Sequence, residues 1–324
     1  MSTPEIAVGA PAPAGAAAAV APLSNVKKIR KSFSTPIASV LVVILTVLWT
    51  LPTFGLAVTS LRPKLDANSN GWWNFFIHPH LTMANYNSIL FSNSFGGGGG
   101  LFPYMVNSLA ICIPATLIPI GIASMAAYVL AWVRFRGSDL IFFTIFALQV
   151  VPLQMSLVPL LQLYSGGAHL FGVTIFPNLH LSGSYAPIWL SHTMFSLPLA
   201  IFLLHNFISQ LPESVIEAAR VDGANPMRVF RSIVLPLAMP AIASFAIFQF
   251  IWVWNDLLVA LTFGGGSAKV QPLTARLSQL TGSLGSKWEL LTAGGFISIV
   301  IPMIVFFALQ RYFVRGMLAG SVKG

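Results

Sequence analysis

Long apolar segments alternate with short polar connections along most of the chain. Each apolar segment is long enough to cross the ~30 Å hydrocarbon layer of a membrane as an α-helix. Prolines inside several segments predict kinks, with hinges of a moving pathway as the alternative. The pattern therefore predicts an all-α integral membrane protein with six transmembrane helices, at about residues 37–60, 104–132, 140–163, 187–209, 237–262 and 291–312.

The composition supports this class of protein. Of the 324 residues, 56% are hydrophobic and 8% are charged, whereas soluble domains contain roughly 25% charged residues. A net charge of +9 would suggest nucleic-acid binding in a soluble protein, but in a membrane protein it more often marks cytoplasmic loops. We therefore expect no nucleic-acid partner. The single cysteine, Cys112, lies in an apolar segment and excludes a disulfide framework.

The Lys and Arg residues are distributed unevenly between the connections. Twelve fall on the side of the N-terminus and five on the other side. Because positively charged connections remain in the cytoplasm, this distribution predicts cytoplasmic N- and C-termini. The cytoplasmic group consists of four residues between 27 and 31, Arg134, Arg136, Arg220, Arg228, Arg231, Arg311, Arg315 and Lys323, and the outer group consists of Arg62, Lys64, Lys269, Arg276 and Lys287.

The N-terminal segment differs from the rest of the chain. Its first 26 residues are rich in Ala and Pro, have Glu5 as their only charged residue and lack helical periodicity. We predict a disordered cytoplasmic tail over residues 1–30, followed by a transmembrane domain over residues 31–324. The prolines and the order of charges argue against a signal peptide. A glycine run, Gly96–Gly100, predicts flexibility and lacks the Lys-Ser/Thr of a nucleotide-binding loop.

The predicted cytoplasmic connection at 210–236 contains "LPESVIEAARVDGANPMRVFRSIVLP". Pro212 and Glu213 suit the first turn of a short helix, and Gly223 suits its end. Asn225 and Pro226 then read as the cap and first residue of a second helix, which Pro236 would end.

Glu217 makes the first of these helices a candidate docking element. It lies toward the C-terminal half of the helix, where the macrodipole disfavours an anion, so an external cation would stabilise it. Ala218 and Ala219 beside it are small enough to allow insertion into a groove. The alternative is a local ion pair with Arg220, which contributes only ~0.2–0.5 kcal/mol.

This stretch resembles the signature of the membrane subunits of bacterial ATP-binding-cassette importers. The signature reads Glu-Ala-Ala, three residues, Gly, nine residues, Ile, one residue and Leu-Pro, which are here Glu217, Ala218, Ala219, Gly223, Ile233, Leu235 and Pro236. The stretches "FQFIWVWNDLLVAL" and "QRYFVRGMLAGSVKG" are similar to the maltose-type carbohydrate importers. The resemblance runs from about residue 30 to the end of the chain.

The resemblance implies a permease subunit of a binding-protein-dependent importer of sugars. "VPLQMSLVPLLQLY" and "FQFIWVWNDLLVAL" are both similar to the α-glucoside branch, which takes di- or oligosaccharides. Partners implied are a second permease subunit, two ATPase subunits and an external sugar-binding protein, in the lipid bilayer. ATP and Mg would be bound by the ATPases, so this chain would contain no cofactor, catalytic residue or metal. The implied ATPase-coupling residues are Glu217, Ala218, Ala219, Asp222 and Gly223.

Polar residues in the outer half of the fifth span are candidates for the substrate path. Asp256 is the only acidic residue predicted there, beside Asn255 and near Trp252, and amide and aromatic groups suit sugars. Gln249 is a weaker candidate. The alternative, which we favour, is that Asn255 and Asp256 brace the bundle or cap a helix end. We interpret His192, in the fourth span, as an ordinary buried or interfacial histidine because no second ligand has metal spacing.

Two further possibilities concern the mode of transport and the outer loops. A secondary transporter driven by an ion gradient would predict paired acidic residues at mid-membrane and an internal repeat. The sequence has one off-centre acid and no evident repeat.

The outer loop 263–289 has glycines at both ends and an amphipathic middle, and the resemblance implies that such a loop helps to release sugar from the binding protein.

Overall fold

The computed structural model describes residues 36–92, 99–133, 135–264, 266–283 and 287–321. The predicted N-terminal tail with its basic cluster, most of the glycine run, Arg134 and Lys323 lie outside these residues. The described residues are mostly helical, as predicted. They belong to two compact units, one ending at Phe54 and the other beginning at Gly55.

The helices and strands follow one another in a simple order. They are α1 (Pro36–Ser60), α2 (Lys64–Ser69), a 3₁₀ helix (Trp72–Phe76), α3 (Ala84–Phe91), α4 (Phe102–Tyr128) continuing as a π-helix (Val129–Val133), α5 (Ser138–Ala147) continuing as a 3₁₀ helix (Leu148–Val150), α6 (Leu153–Gly166), β1 (Ala168–Leu170), β2 (Val173–Phe176), α7 (Ala186–Ile208), α8 (Glu213–Val221), α9 (Pro226–Val229) continuing as a π-helix (Phe230–Val234), α10 (Leu235–Asn255), α11 (Leu258–Phe263), α12 (Leu273–Ser283) and α13 (Trp288–Ser321).

Five helical stretches among the described residues are long and apolar enough to cross a membrane. A sixth crossing requires α5 and α6, which pass the same test together but are bent by 99°. The five are Ala38–Ser60, Phe102–Val133, Ala186–Ile208, Pro226–Asn255 and Trp288–Arg311.

The contacts of α5 and α6 with α7 show that this pair is one broken span. The ring of Phe142 in α5 packs against that of His205, near the C-terminal end of α7, with ring centroids 4.2 Å apart. Tyr164 in α6 lies with its hydroxyl 3.2 Å from Ser191 Oγ, near the other end of α7. The bent pair thus passes α7 from one end toward the other, which gives six crossings in the described part of the chain.

The break corrects our prediction of a continuous third span. Val151 and Pro152 are both extended, with ψ of 120° and 128°. Steric clash with the proline ring pushes the preceding residue out of the helical region, and proline itself offers no N–H. Pro114, Pro119, Pro198, Pro240 and Pro302 lie inside helices that continue.

The fifth span also differs from the prediction at both ends. Pro236 does not end the second helix of the loop, because a π-helix precedes it and the Leu235 N–H bonds to the carbonyl of Phe230, five residues back. The helix therefore continues from Pro226 to Asn255. It then stops before residue 262, because Asp256 is extended and α11 begins only at Leu258.

Buried apolar residues form two clusters in the unit that begins at Gly55. The loop-end cluster lies near the α8 loop and includes Tyr128, Ile208, Ile216 and Phe230. The far-end cluster packs the other halves of the spans with α11 and α12, and it includes Leu101, Ile188, Trp254, Phe263 and Leu273. Each cluster joins helices that are distant in sequence.

The connections at the far end carry structure that the sequence did not predict. An antiparallel hairpin, β1 and β2, links α6 to the segment before α7. The loop after α11 packs onto the bundle: Asn107 Nδ2 donates to the Gln271 carbonyl at 2.9 Å, and the Leu273 N–H donates to Ser108 Oγ at 2.8 Å.

Candidate coupling surface and transport pathway

The α8 loop has the local structure that its sequence predicts. Helix α8 ends at Val221, and Gly223 has a φ of +78°, which L side chains rarely adopt. Asn225 Oδ1 accepts a 2.8 Å hydrogen bond from the Arg228 N–H, and Pro226 is the first residue of α9. The predicted helix, glycine turn and capped second helix are all present.

Helix α8 has one buried and one exposed face. Ile216 is fully buried in the loop-end cluster. Glu217 and Ala218 are exposed, and so is Val221, whose exposed fraction is 87%. An apolar side chain beside a carboxylate on one exposed face is suited to contact with another protein.

Arg220 does not form the local ion pair that was the alternative for Glu217. Its Nη2 donates a 2.8 Å hydrogen bond to the carbonyl oxygen of Trp132, at the end of the second span. Among the described ion pairs none joins Glu217 to Arg220. Arg220 thus attaches α8 to the bundle, while the Glu217 carboxylate remains on the exposed face.

Three of the four residues predicted for the substrate path line one cavity. This cavity has a volume of about 530 Å³, and its walls are Phe248, Ile251, Trp252, Asn255, Asp256, Leu257 and Leu258. Gln249 is not among them. It is fully buried, and its Nε2 donates to the Ala115 carbonyl at 3.1 Å. The geometry of Gln249 is that of a contact between helices.

A larger cavity lies at the break of the third span. It has a volume of about 670 Å³ and shares Trp252 with the first cavity. Its polar side chains are Gln149 and Ser156, on either side of the break. Ser156 was not predicted from the sequence, because a lone serine in an apolar segment forms no recognisable pattern.

Asp256 combines two structural contacts with its position on a cavity wall. Its Oδ2 accepts hydrogen bonds from the N–H groups of Val259 at 2.9 Å and Ala260 at 3.4 Å. Its carbonyl oxygen accepts from Thr274 Oγ1 at 3.1 Å, which joins the break to α12. The carboxylate therefore sits at the start of α11, the capping geometry of our alternative interpretation.

His192 is the functional candidate that sequence reasoning treated as ordinary. Its side chain is 1% exposed, and its Nε2 lies 3.8 Å from Asp256 Oδ2. The ring also meets Trp252 edge-on, with centroids 6.1 Å apart. Its Nδ1 has no hydrogen-bond partner among the described residues. No sequence pattern links residues 192 and 256, because the contact depends on the packing of α7 against the end of α10.

These features define a multi-pass helical membrane protein with an exposed loop helix at one end and cavities along two broken helices. The chain belongs to the family of binding-protein-dependent transport system inner membrane components, whose pattern it matches over residues 118–319. This places it in the inner membrane as a transport component.

Individual relatives support the assignment. The chain is 50% identical over 288 residues to the osmoprotective compounds uptake permease protein GgtD of Synechocystis sp., covering 87% of this chain and 91% of that protein. It is 54% identical over 246 residues to the alpha-glucoside transport system permease protein AglG of Rhizobium meliloti, covering 76% of this chain and 61% of that protein. Its fold is similar to that of a chain in the crystal structure of a bacterial ABC transporter involved in the import of the acidic polysaccharide alginate. The TM-score is 0.65 at 18% sequence identity, and the match covers 90% of this chain and 97% of that chain.

Proposed function

We propose that this chain is the permease subunit of an ABC importer for a di- or oligosaccharide of the α-glucoside type. Trp252 is the observation that carries the substrate class, because it stands between two cavities whose polar groups are amides, a hydroxyl and a carboxylate. An aromatic face with a few such groups suits a sugar ring. The relative from Rhizobium meliloti that is named for alpha-glucoside transport supports this class of substrate.

The assembly that we propose contains a second permease, two ATPase subunits that bind ATP and Mg, and an external sugar-binding protein. The family description, which names a binding-protein-dependent system, supports the last of these partners. This chain would hydrolyse no ATP itself. If the α8 loop faces the ATPases in the cytoplasm, we propose that both termini lie on that side too, which is the side that the excess of Lys and Arg predicts.

The α8 loop and the substrate cavities are joined by one helix. Residues Pro226–Asn255 are continuous, which corresponds to about 45 Å at 1.5 Å per residue. The helix begins beside Gly223 and ends at the wall formed by Trp252 and Asn255. Ile216 packs α8 into the loop-end cluster, which also contains the start of this long helix. Movement of α8 together with an ATPase would therefore be passed to the helix and would displace the cavity wall.

The break of the third span supports a pathway on this side of the subunit. Val150 is 82% exposed, and Val151 beside it is also exposed. Irregular backbone at membrane depth is tolerated only where it is buried in protein or lines a water-filled cavity. We therefore place the break against the pathway between this subunit and the second permease, with Gln149, Ser156 and Asn255 as partners for sugar hydroxyls.

Uptake measurements in cells test the proposal. Deletion of this chain should abolish uptake of at least one α-glucoside, and the wild-type chain should restore it. Uptake should persist when a protonophore collapses the ion gradient but ATP is maintained. Trp252→Ala should raise the sugar concentration needed for half-maximal uptake, whereas Trp49→Ala, on the exposed surface of α1, should not. Unchanged uptake of every α-glucoside in the deletion strain would refute the substrate class.

A further inference from the structure

The hairpin between the third and fourth spans exposes apolar side chains along its second strand and at its turn. In its antiparallel strands, Ala168 pairs with Phe176, and Leu170 pairs with Val173. Phe171, at the turn, is 96% exposed, and Val173 and Ile175 are exposed as well. A two-stranded hairpin is marginally stable by itself in water, and contiguous apolar surface of this kind marks an interaction surface.

The absence of charge distinguishes this connection from its neighbours at the same end of the bundle. There is no Asp, Glu, Lys or Arg between Asp139 and Glu213. The other connections at this end contain Lys64 and Asp66, or Lys269 and Arg276. A surface that docks a soluble protein generally keeps a polar, charged rim. The hairpin has no such rim, and its composition is closer to that of the membrane-facing helices.

The chain connections fix the depth of the hairpin. It begins at Ala168, with only Gly167 between it and the end of α6 at Gly166. The Leu181 N–H then donates to the Tyr164 carbonyl at 3.4 Å, which returns the chain to the end of α6 before α7 begins. The hairpin is therefore held at the level where two membrane helices end.

Backbone and polar groups restrict the hairpin to the boundary between lipid and water. In the part of the chain that the structure describes, the sheet has two strands, so each strand has an outer edge without a neighbouring strand. The backbone N–H and C=O groups along such an edge are disfavoured in the hydrocarbon interior. His169 is satisfied locally, with its Nδ1 3.1 Å from Thr174 Oγ1 and its Nε2 3.2 Å from the Gly166 carbonyl oxygen. Apolar side chains with a polar backbone edge suit the interfacial layer, where both find partners.

We propose that the hairpin Ala168–Phe176 lies in the lipid–water interface of the membrane and anchors α6, the half of the broken third span that precedes it. The partner is the lipid bilayer surface, not a protein. The anchor compensates for the break at Pro152, because α6 is not held in line by a continuous helix. This inference does not depend on the substrate class proposed above.

Spin labels at single cysteines test the position of the hairpin. Cys112 is buried and free, so Cys112→Ala provides a cysteine-free form of this chain. Sugar uptake by the transporter with this variant is measured first. Labels are attached at Phe171→Cys and, as a second position, Ile175→Cys. Leu65→Cys is the matched water control, because Leu65 is apolar and 82% exposed but lies between Lys64 and Asp66. Leu48→Cys, on the exposed surface of α1, is the lipid control.

The complete transporter is reconstituted in nanodiscs of phosphatidylethanolamine and phosphatidylglycerol, and collisions with oxygen and with a water-soluble nickel chelate are measured. The proposal predicts an oxygen-to-nickel ratio at both hairpin positions several-fold above that at Leu65→Cys and approaching that at Leu48→Cys. A ratio equal to that at Leu65→Cys would place the hairpin in water and overturn the proposal. Low collision rates with both reagents would show that a protein subunit covers it, which would also overturn the proposal.

Discussion

His192 and Asp256 face each other between two helices, with Nε2 of the imidazole 3.8 Å from Oδ2 of the carboxylate. His192 lies near the N-terminal end of α7, beside Ser191, and Asp256 lies where the fifth span breaks. The same carboxylate oxygen accepts from the Val259 N–H at the start of α11. The pair therefore connects the fourth span, the break of the fifth span and the wall of a cavity.

Two substitutions of Asp256 separate its structural contact from its charge. Asp256→Ala removes the acceptor at the start of α11 and should lower stability by about 1 kcal/mol, seen as a lower melting temperature of the complex in detergent. Asp256→Asn retains an acceptor of the same shape and removes the charge opposite His192. We expect it to retain most of the melting temperature and to change the competition of α-glucosides for uptake. Wild-type selectivity in Asp256→Asn, combined with a lowered melting temperature in Asp256→Ala, would leave Asp256 with a structural role only.

Glu217→Lys tests the docking of α8 on the ATPase. The carboxylate is on the exposed face and has no ion pair with Arg220, so the substitution should leave the fold of the subunit intact. A charge-assisted contact contributes roughly 1.5–3 kcal/mol, and each 1.4 kcal/mol is about tenfold. Uptake and sugar-stimulated ATP hydrolysis should therefore both fall by about tenfold or more.

Glu213→Lys is the matched control, because Glu213 is exposed in the first turn of the same helix. It changes the net charge of α8 by the same amount at a position four residues away. Equal losses of uptake in both variants would indicate a general electrostatic effect, and no loss in Glu217→Lys would contradict the docking assignment.

Gly223→Ala tests the turn that joins α8 to the long helix. A Cβ at Gly223 would meet no atom within 4 Å, but φ is +78°, so the cost is backbone strain of roughly 1–2 kcal/mol. We expect weaker association with the ATPase subunits, measured by co-purification. Gly121→Ala is the control: its Cβ also meets nothing, and alanine favours a helix interior by about 1 kcal/mol. Co-purification equal to wild type in Gly223→Ala would show that the turn tolerates the strain.

Local sequence rules were sufficient to predict the α8 loop, but they did not predict the breaks in the third and fifth spans. Asn225 caps α9, and Gly223 forms the turn after α8. Both roles depend on residues only a few positions away, which can be read directly from the sequence. Pro152 and Pro198 look alike in sequence, yet the helix stops at the first and continues through the second. The difference depends on how neighbouring helices accommodate the freed backbone groups, and that information is distributed over the whole bundle.

The residues predicted for the substrate path show the same division. Asn255 and Asp256, which line a cavity together with Trp252, were singled out because an amide and an acid are rare in an apolar segment. Gln249 has the same signal, but the helical rotation turns it toward Ala115 and away from the cavity. The hairpin after α6 was missed because its strands contain neither charge nor a clear alternation of polar and apolar residues.

Tyr185 holds the loop before α12 against the bundle. Its hydroxyl donates to Asn107 Oδ1 at 2.7 Å and approaches the Lys269 carbonyl oxygen at 3.0 Å. Burial raises the pKa of Tyr185, so the phenol remains protonated and able to donate. Tyr185→Phe removes both contacts and preserves the stacking of the ring on Trp189.

Tyr185→Phe should loosen the loop without unfolding the subunit. A hydrogen bond contributes about 1 kcal/mol net, so amide hydrogen exchange in residues 266–280 should accelerate about fivefold, as expected for a local opening. Tyr86→Phe is the control, because it removes a hydroxyl contact with Ser60 Oγ at 2.7 Å in a different loop. Exchange in residues 266–280 should be unaffected in that variant. If both variants left the exchange rates of this loop at the wild-type level, the loop would be held by its apolar contacts, such as that of Leu273 in the far-end cluster, and the hydroxyl of Tyr185 would have no part in fixing it.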